Sequence, residues 1–491
     1  MDRTSSWLLG KLDELRPGSK PDLDIAAELG RVVEVIWGRT GMVFGMVVGN
    51  IDRDAVLGRG AEVMSAWLPH LPTNILRQYE AVARRTSLPI DTAPYLVNAN
   101  RLDAEAAAAA DAEAAAAHAA FVARKAEAVS KEPRNPALLA ALGESAEPYS
   151  VYADWLEAQG AARGELIHLM LAAETDESLN DQVAGFIHDH ARELIGLVPR
   201  DYGDLEQPPE TYELLWKRGF IDRIALGAQQ GIAAALEHFL EHPSGQRLRS
   251  LAIGMADEAD SDTTQYDHVV EILARERPPH LEVVQLGMFG PNECDISWFN
   301  VGDVSPLWQL PALKSVTVRG GSFTLGSIVA PQLESLILQT GGLTHDNVVS
   351  IADGQWDNLR ELDVMFGGHE YGGDTEPHHV DILLAANLPK LRRLGIMNCP
   401  FADEAVATFV ASPLAAQIED LDLSLGCLGD AGAEALIANR NKLVALKRLN
   451  VSASYLSPDV ERALGQIGVE LIAEGMNGPA DPEDRYVSIS E

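Results

Sequence analysis

At 491 residues the chain is longer than one hydrophobic core fills, so roughly two to four domains are expected. Its 46% apolar and 23% charged content is ordinary for a soluble globular protein. The formal net charge of −35 is not ordinary. It repels phosphate backbones and anionic lipid, which argues against nucleic acid or a membrane surface as a partner of the whole molecule. A basic ligand or protein patch would be attracted, unless the acidity simply serves solubility.

The first residues, MDRTSSWLLGKLDELRPG, have no basic stretch followed by an apolar core, so no secretory signal is read there. The most apolar window, residues 32–50, is broken by Glu34, Arg39 and several glycines, which is poor for a spanning helix. Cys294, Cys399 and Cys427 are too few for a disulfide framework and lack zinc spacing, so a bacterial-type cytoplasm is the expected location. Residues 1–100 read as short helices punctuated by Pro72, Pro89 and Pro94. Trp37-Gly38-Arg39 spells the letters of a nucleic-acid-associated module, but the strand pattern that module needs is missing. From 101 to 131 alanine and glutamate dominate, predicting a connecting helix with almost no bulky apolar stripe.

Residues 132–245 begin with a short helix, NPALLAALGE, and then a helical hairpin, YADWLEAQGAARGEL. Tyr149, Tyr152 and Leu156, with Trp155 alongside, give the first helix an apolar face. Gly160 is placed to end that helix in the left-handed conformation. A second helix starts near Arg163 and Gly164, with Glu165 in its first turn, where the dipole favours a carboxylate. Asp154 is expected to pair with Arg163 across the turn, making these charges structural. The run Y-A-D-W-L-E-x-x-G-x-x-R-G-E-L-I resembles the bacterial repeat-companion domain, a module found beside tandem repeats, often leucine-rich ones. Ala161-Ala162 departs from the Asp-Pro common in that family. The resemblance continues through LLWKRGFIDRIAL, with Trp216 and Gly219, and through FLEHPSGQRLRSLAI. It implies a cap leading into repeats and no chemistry of its own.

Repeats do follow, over 246–474. The pattern L-x-x-L-x-L recurs with first positions Leu248, Leu281, Leu313, Leu333, Leu359, Leu391, Ile418 and Leu446, spaced about 20 to 33 residues apart. Helical returns such as DHVVEILARE, DNVVSIADG and DEAVATFVAS lie between them, and LDLSLGCLGDAGAEAL resembles the ribonuclease-inhibitor type of repeat. One strand and one helix per repeat predict an α/β leucine-rich solenoid, a horseshoe. A lone repeat buries too little to offset its ordering entropy, so stacking and end caps are required. VELIAEG reads as a last strand, and 475–491 as an acidic tail.

Several constellations imitate catalytic or metal sites. HFLEH, His238 to His242, matches an inverted zincin motif, but Pro243 ends its helix at once. ELIH, Glu165 to His168, has di-iron half-site spacing without a second copy. The loop 367–381 gathers His369, Glu370, Asp374, His378 and His379, a rim loop or a divalent-metal site. Asp260, Asp262, Thr264 and Glu271 have calcium-loop spacing, but Gln265 replaces the needed glycine. Cys399 falls where such repeats carry a buried Asn or Cys.

The expectation is a non-enzymatic interaction scaffold with no cofactor and no metal, binding a protein or peptide on the concave face. The candidate contacts are Gln285, Thr317, Arg319, Gln339, Asp363, Met365, Met397, Asp422, Ser424, Asn450 and Ser452. Asp363 and Asp422 occupy matching positions and would steer a basic partner. The alternative is an enzyme with its activity in residues 1–100 and the repeats choosing the substrate, although no catalytic motif is spelled there.

Overall fold

The computed structural model describes residues 3–17, 25–26, 29, 32–33, 36, 42–43, 46–47, 52–71, 73–97, 132–196, 212–227, 232–254, 265–288, 295–298 and 300–489. The alanine-rich stretch 101–131, the Trp37-Gly38-Arg39 triplet, Cys294 and the Asp260–Asp262–Thr264 motif lie outside them. The chain divides into two compact units, Met1–Ala120 and Phe121–Glu491.

In the first unit, helices α1 (Arg3–Glu14), α2 (Arg53–Trp67) and α3 (Thr73–Thr86) and the short strand pair β1 (Met42–Val43) and β2 (Met46–Val47) are described. Leu8, Leu12, Leu29, Val33, Met64, Trp67 and Tyr79 form its core. Both large aromatics satisfy their polar atoms there, Trp67 Nε1 on the Leu15 carbonyl at 2.7 Å and Tyr79 Oη on that of Ala26 at 2.8 Å.

The second unit opens with α4 (Pro136–Ala140) and a hairpin of α5 (Glu147–Ala158) and α6 (Ala162–Ala173). Gly160 takes φ +77° between α5 and α6, which only glycine adopts without strain. Gly164 lies against the Ala153 carbonyl, where a Cβ would come within 2.6 Å, so the helices close on each other without a spacer. Two short helices, α7 (Asn180–Asp189) and α8 (Ala191–Leu194), come before a β-hairpin of β3 (Tyr212–Lys217) and β4 (Phe220–Leu226). Its turn residues Arg218 and Gly219 both have positive φ, the left-handed pair a two-residue hairpin needs. Helix α9 (Ile232–Glu241) then leads through His242 and Pro243 into β5 (Ser250–Ile253).

From β5 onward the chain repeats. Strands β6 (Val283–Leu286), β8 (Ser315–Arg319), β10 (Ser335–Gln339), β11 (Glu361–Met365), β12 (Arg393–Met397), β13 (Asp420–Asp422), β14 (Arg448–Asn450) and β15 (Glu470–Ile472) pair in parallel, each with the next. The remaining strands β7 (Asn300–Asp303) and β9 (Ser322–Thr324) form a small separate pair. The large sheet has eleven strands, and β4 joins β5 in parallel, so the hairpin begins the same sheet as the repeats. Leu251, Val284, Val316, Leu336, Leu362, Leu394, Leu421 and Leu449 stand in one register across it, all fully buried. This is a leucine-rich-repeat solenoid, with helices α10 (Gln265–Glu276), α11 (His345–Ala352), α12 (Pro377–Leu384), α13 (Ala402–Ala411), α14 (Asp430–Ala438) and α15 (Pro458–Leu464) as returns. Where β9 stands in for a return helix, Asn347 is buried and bonded to Phe323 and Leu325, tying that loop to α11.

One expectation is overturned. Asp154 does not pair with Arg163; it lies 75% exposed, 3.4 Å from His168 Nε2. Arg163 is fully buried and holds Glu132, with Nε 2.9 Å from both carboxylate oxygens. Its Nη1 donates to the Gly219 carbonyl at 2.9 Å, and the guanidinium sits 5.2 Å above the Phe220 ring. The arginine therefore locks the helical hairpin to the β-hairpin turn rather than to its own neighbour helix. A carboxylate at the exposed start of α5's last turns offers less than this buried cradle, in which Tyr152 also stacks between Trp155 and Phe220. Glu165 lies exposed in the first turn of α6, and Trp216 packs against the core edge from β3.

Candidate interaction surface on the open sheet face

In a β-strand alternate side chains point to opposite faces. The leucine register faces the return helices, so the residues on either side of it face the other way. Three ladders run along that open face. The central one places Gln285, Thr317, Ile337, Asp363, Gly395, Asp422 and Asn450 side by side. A second, two residues earlier in each strand, reads Glu361, Arg393, Asp420, Arg448 and Glu470 across the last repeats. A third carries Arg319 beside Gln339 and Met365 beside Met397.

Arg393 organises the acidic end of this face. Its guanidinium reaches Asp363 at 2.8 Å, Asp420 at 3.0 Å, Glu361 at 3.3 Å and Asp422 at 3.4 Å. Gly395 lies between Asp363 and Asp422, and a Cβ there would stand 2.6 Å from Asp363 Oδ1, so glycine lets that carboxylate lean across the strand. Asp422 is satisfied from several sides: Oδ1 accepts from the Ser424 amide and hydroxyl, and Oδ2 from Asn450 at 3.0 Å. Asp363 is not. Its Oδ1 is buried with no hydrogen-bond partner, and burial outweighs Arg393, pushing its carboxyl up to about 6.

The expected contact residues thus fall into two groups. Gln285, Arg319, Gln339, Met397, Asn450 and Ser452 are half-buried and accessible. Thr317, Asp363, Met365, Asp422 and Ser424 are buried within the face, between 3% and 7% exposed. Asp363 and Asp422 are therefore not a free acidic lure, because Arg393 already holds them. Replacing either by lysine would set two cations together and disturb packing before it tested binding. Arg393, Glu361, Asp420 and Gly395 are the residues that sequence reasoning missed. Writing out the positions flanking each register leucine would have shown Glu361, Arg393, Asp420 and Arg448 alternating in sign.

The metal-like motifs resolve differently. His238 Nε2 lies 2.6 Å from the Ile195 carbonyl, and His242 caps Ser244 through Nδ1. Burial, aided by nearby Arg163, pushes His242 down to about 3, so it stays neutral. In the histidine-rich loop, His369 bonds the Gly373 carbonyl, His379 accepts from the Glu376 amide, and Asp374 holds His345 from outside the motif. Among the described residues no cluster of three or more His, Cys, Asp or Glu side chains is arranged to hold a metal ion. Cys399 and Cys427 are buried free thiols, and burial raises Cys427 to about 11. No described helix is long and apolar enough to cross a membrane.

No protein-family model and no curated protein matches the chain. Solved structures do. A structural-genomics protein from Bacteroides fragilis is 25% identical, with 52% of this chain and 73% of that one covered and a TM-score of 0.47. TLR13, solved in complex with ssRNA13, is 13% identical over 54% of this chain and 34% of its own, with a TM-score of 0.29. An internalin from Listeria monocytogenes is 13% identical over 53% of this chain and 87% of its own, with a TM-score of 0.20. This chain thus spans about a third of the length of TLR13. The solenoid assignment rests on the chain's own strand register and repeat spacing.

Proposed function

We propose that the protein is a non-enzymatic interaction scaffold whose solenoid, curved as a horseshoe, binds a protein or peptide on its inner face. Residues 132–245 serve as the N-terminal cap, in keeping with their resemblance to the repeat-companion domain, and 246–474 carry the recognition surface. The observation that supports this most is the set of half-buried residues on the face turned away from the helices, Gln285 in the central ladder and Arg319, Gln339 and Met397 in the third. Polar amides beside flexible methionines suit a peptide or protein surface. The net charge of −35 disfavours a nucleic-acid ligand. The buried free thiols of Cys399 and Cys427 suit a reducing cytoplasm.

Bulky substitution tests the reading. Gln339→Trp with Met397→Trp should abolish capture of the partner from native lysate, because both side chains stand on the inner face. Glu404→Trp with Glu434→Trp, exposed on α13 and α14, should leave capture unchanged. The opposite pattern would move the interface to the helices.

A further inference from the structure

After the last strand the chain turns back. Asn477 bonds Ser454 and Ala453, and residues 485–489 then run across the loops that join strands to helices in the preceding repeats, in descending order. The Tyr486 amide donates to Tyr455 Oη at 3.2 Å, and that hydroxyl donates to the Tyr486 carbonyl at 3.0 Å. The Ser488 amide bonds the Leu425 carbonyl at 2.8 Å. Asn398, fully buried and in the left-handed conformation at φ +49°, uses its carboxamide as a strand would, bonding both the amide and the carbonyl of Ile489 at 2.9 and 2.5 Å.

The Arg485 side chain enters a built socket. Its Nη1 lies 2.8 Å from Asp403 Oδ2 and 3.2 Å from the Cys427 carbonyl. The guanidinium rests on Gly429, where any Cβ would collide with it. Asp403 is held in place from behind, its Oδ1 accepting from the amides of Gly429 at 2.8 Å and Gly432 at 3.0 Å. The contrast in burial matters: Asn398, Cys427 and Tyr455 on the groove side are buried, while no residue from 474 to 489 is. Tyr486 is 74% exposed. The groove side belongs to the repeats, and the segment is a surface strip held by the Arg485 guanidinium, main-chain bonds and an edge contact of the Tyr486 ring on Tyr455.

We propose that this groove is a peptide-docking site, independent of the open sheet face, and that residues 485–489 occupy it in cis as a stand-in for a partner's peptide. The partner segment is extended, carries an arginine for the Asp403–Gly429 socket, and presents free main-chain groups to Tyr455, Leu425 and Asn398. Those groove groups recognise backbone, so only the arginine position is strictly specified. The tethered segment competes at an effective concentration on the order of millimolar, because its link to the last repeat is short. The groove is therefore closed to weak peptides until the segment is displaced.

The test uses the full chain and a fluorescent peptide of residues 480–491 as the probe. Arg485→Ala should release the segment, exposing the Ser488 and Ile489 amides to hydrogen exchange, and should raise affinity for the peptide at least tenfold over the unaltered chain. A peptide with alanine for its arginine should not bind. Adding Asp403→Asn to Arg485→Ala should cost the peptide most of its affinity, since asparagine can keep the two amide contacts but loses the charge. Protection of Ser488 and Ile489 persisting in Arg485→Ala would show that arginine is not the latch and overturn the proposal. Equal peptide affinity in Arg485→Ala and the unaltered chain would overturn it as well.

Discussion

Two arginines, Arg163 buried and Arg393 half-buried, set the helical hairpin region and the repeats apart. Arg163 has no exposure, meets one carboxylate of Glu132, and spends another donor on the Gly219 carbonyl against the Phe220 ring. Charge is matched one to one, and the contacts join two hairpins. Arg393 is 24% exposed and faces Glu361, Asp363, Asp420 and Asp422 at once. Its surroundings are over-supplied with acid and open on a face that no register leucine occupies. The first arrangement locks a fold. The second keeps charge on the open face, the surface proposed above for recognition.

Substitutions can break that comparison at both ends. Arg163→Met should have the largest effect, about 3–5 kcal/mol by denaturant unfolding, because it strands buried Glu132 without a cation. Arg393→Met should cost less, about 2–3 kcal/mol, since water can reach part of the carboxylate cluster it leaves. A larger loss at Arg393 than at Arg163 would reverse the assignment of which site is structural.

The acidity of Asp363 sharpens the contrast further. Its carboxyl is raised by burial to about 6 in the folded chain, above its ordinary value of 3.8. Between those values the folded state holds a proton that the unfolded state has lost, so this group's contribution to stability falls as pH rises from about 4 to 6. Asp363→Asn removes that dependence. Its stability relative to the unaltered chain should therefore climb across the same window, by about 2–3 kcal/mol at most. Urea unfolding of both chains at pH 4, 5, 6 and 7 reads the difference directly, and a flat difference would mean that Arg393 fully compensates burial. At the small end, Asp154→Ala should change stability by no more than about 0.5 kcal/mol, because Asp154 is exposed and, among the described residues, pairs with His168 alone.

The sequence made the repeats legible because register leucines are a local, periodic signal: Leu336, Leu362 and Leu394 fall in one core where their spacing puts them. The left-handed turn at Gly160 was legible for the same local reason. Pairings between distant segments were not. Glu132 lies 31 residues before Arg163, and nothing local distinguishes it from Asp154 nearby. The carboxylates of the open face were visible singly, but their shared cation appears only when strands are set side by side. Arg485, 82 residues from Asp403, reads in sequence only as part of an acidic tail, and the chain's return path brings it to that carboxylate.

The central claim, that the open sheet face is the partner interface, is tested most directly by site-specific photo-crosslinking in native lysate. A photoreactive residue at Gln339 or Met397 should give one dominant adduct, and the same residue at Glu404 or Glu434 should give none. Adducts from Glu404 and Glu434 with none from Gln339 and Met397 would contradict the account.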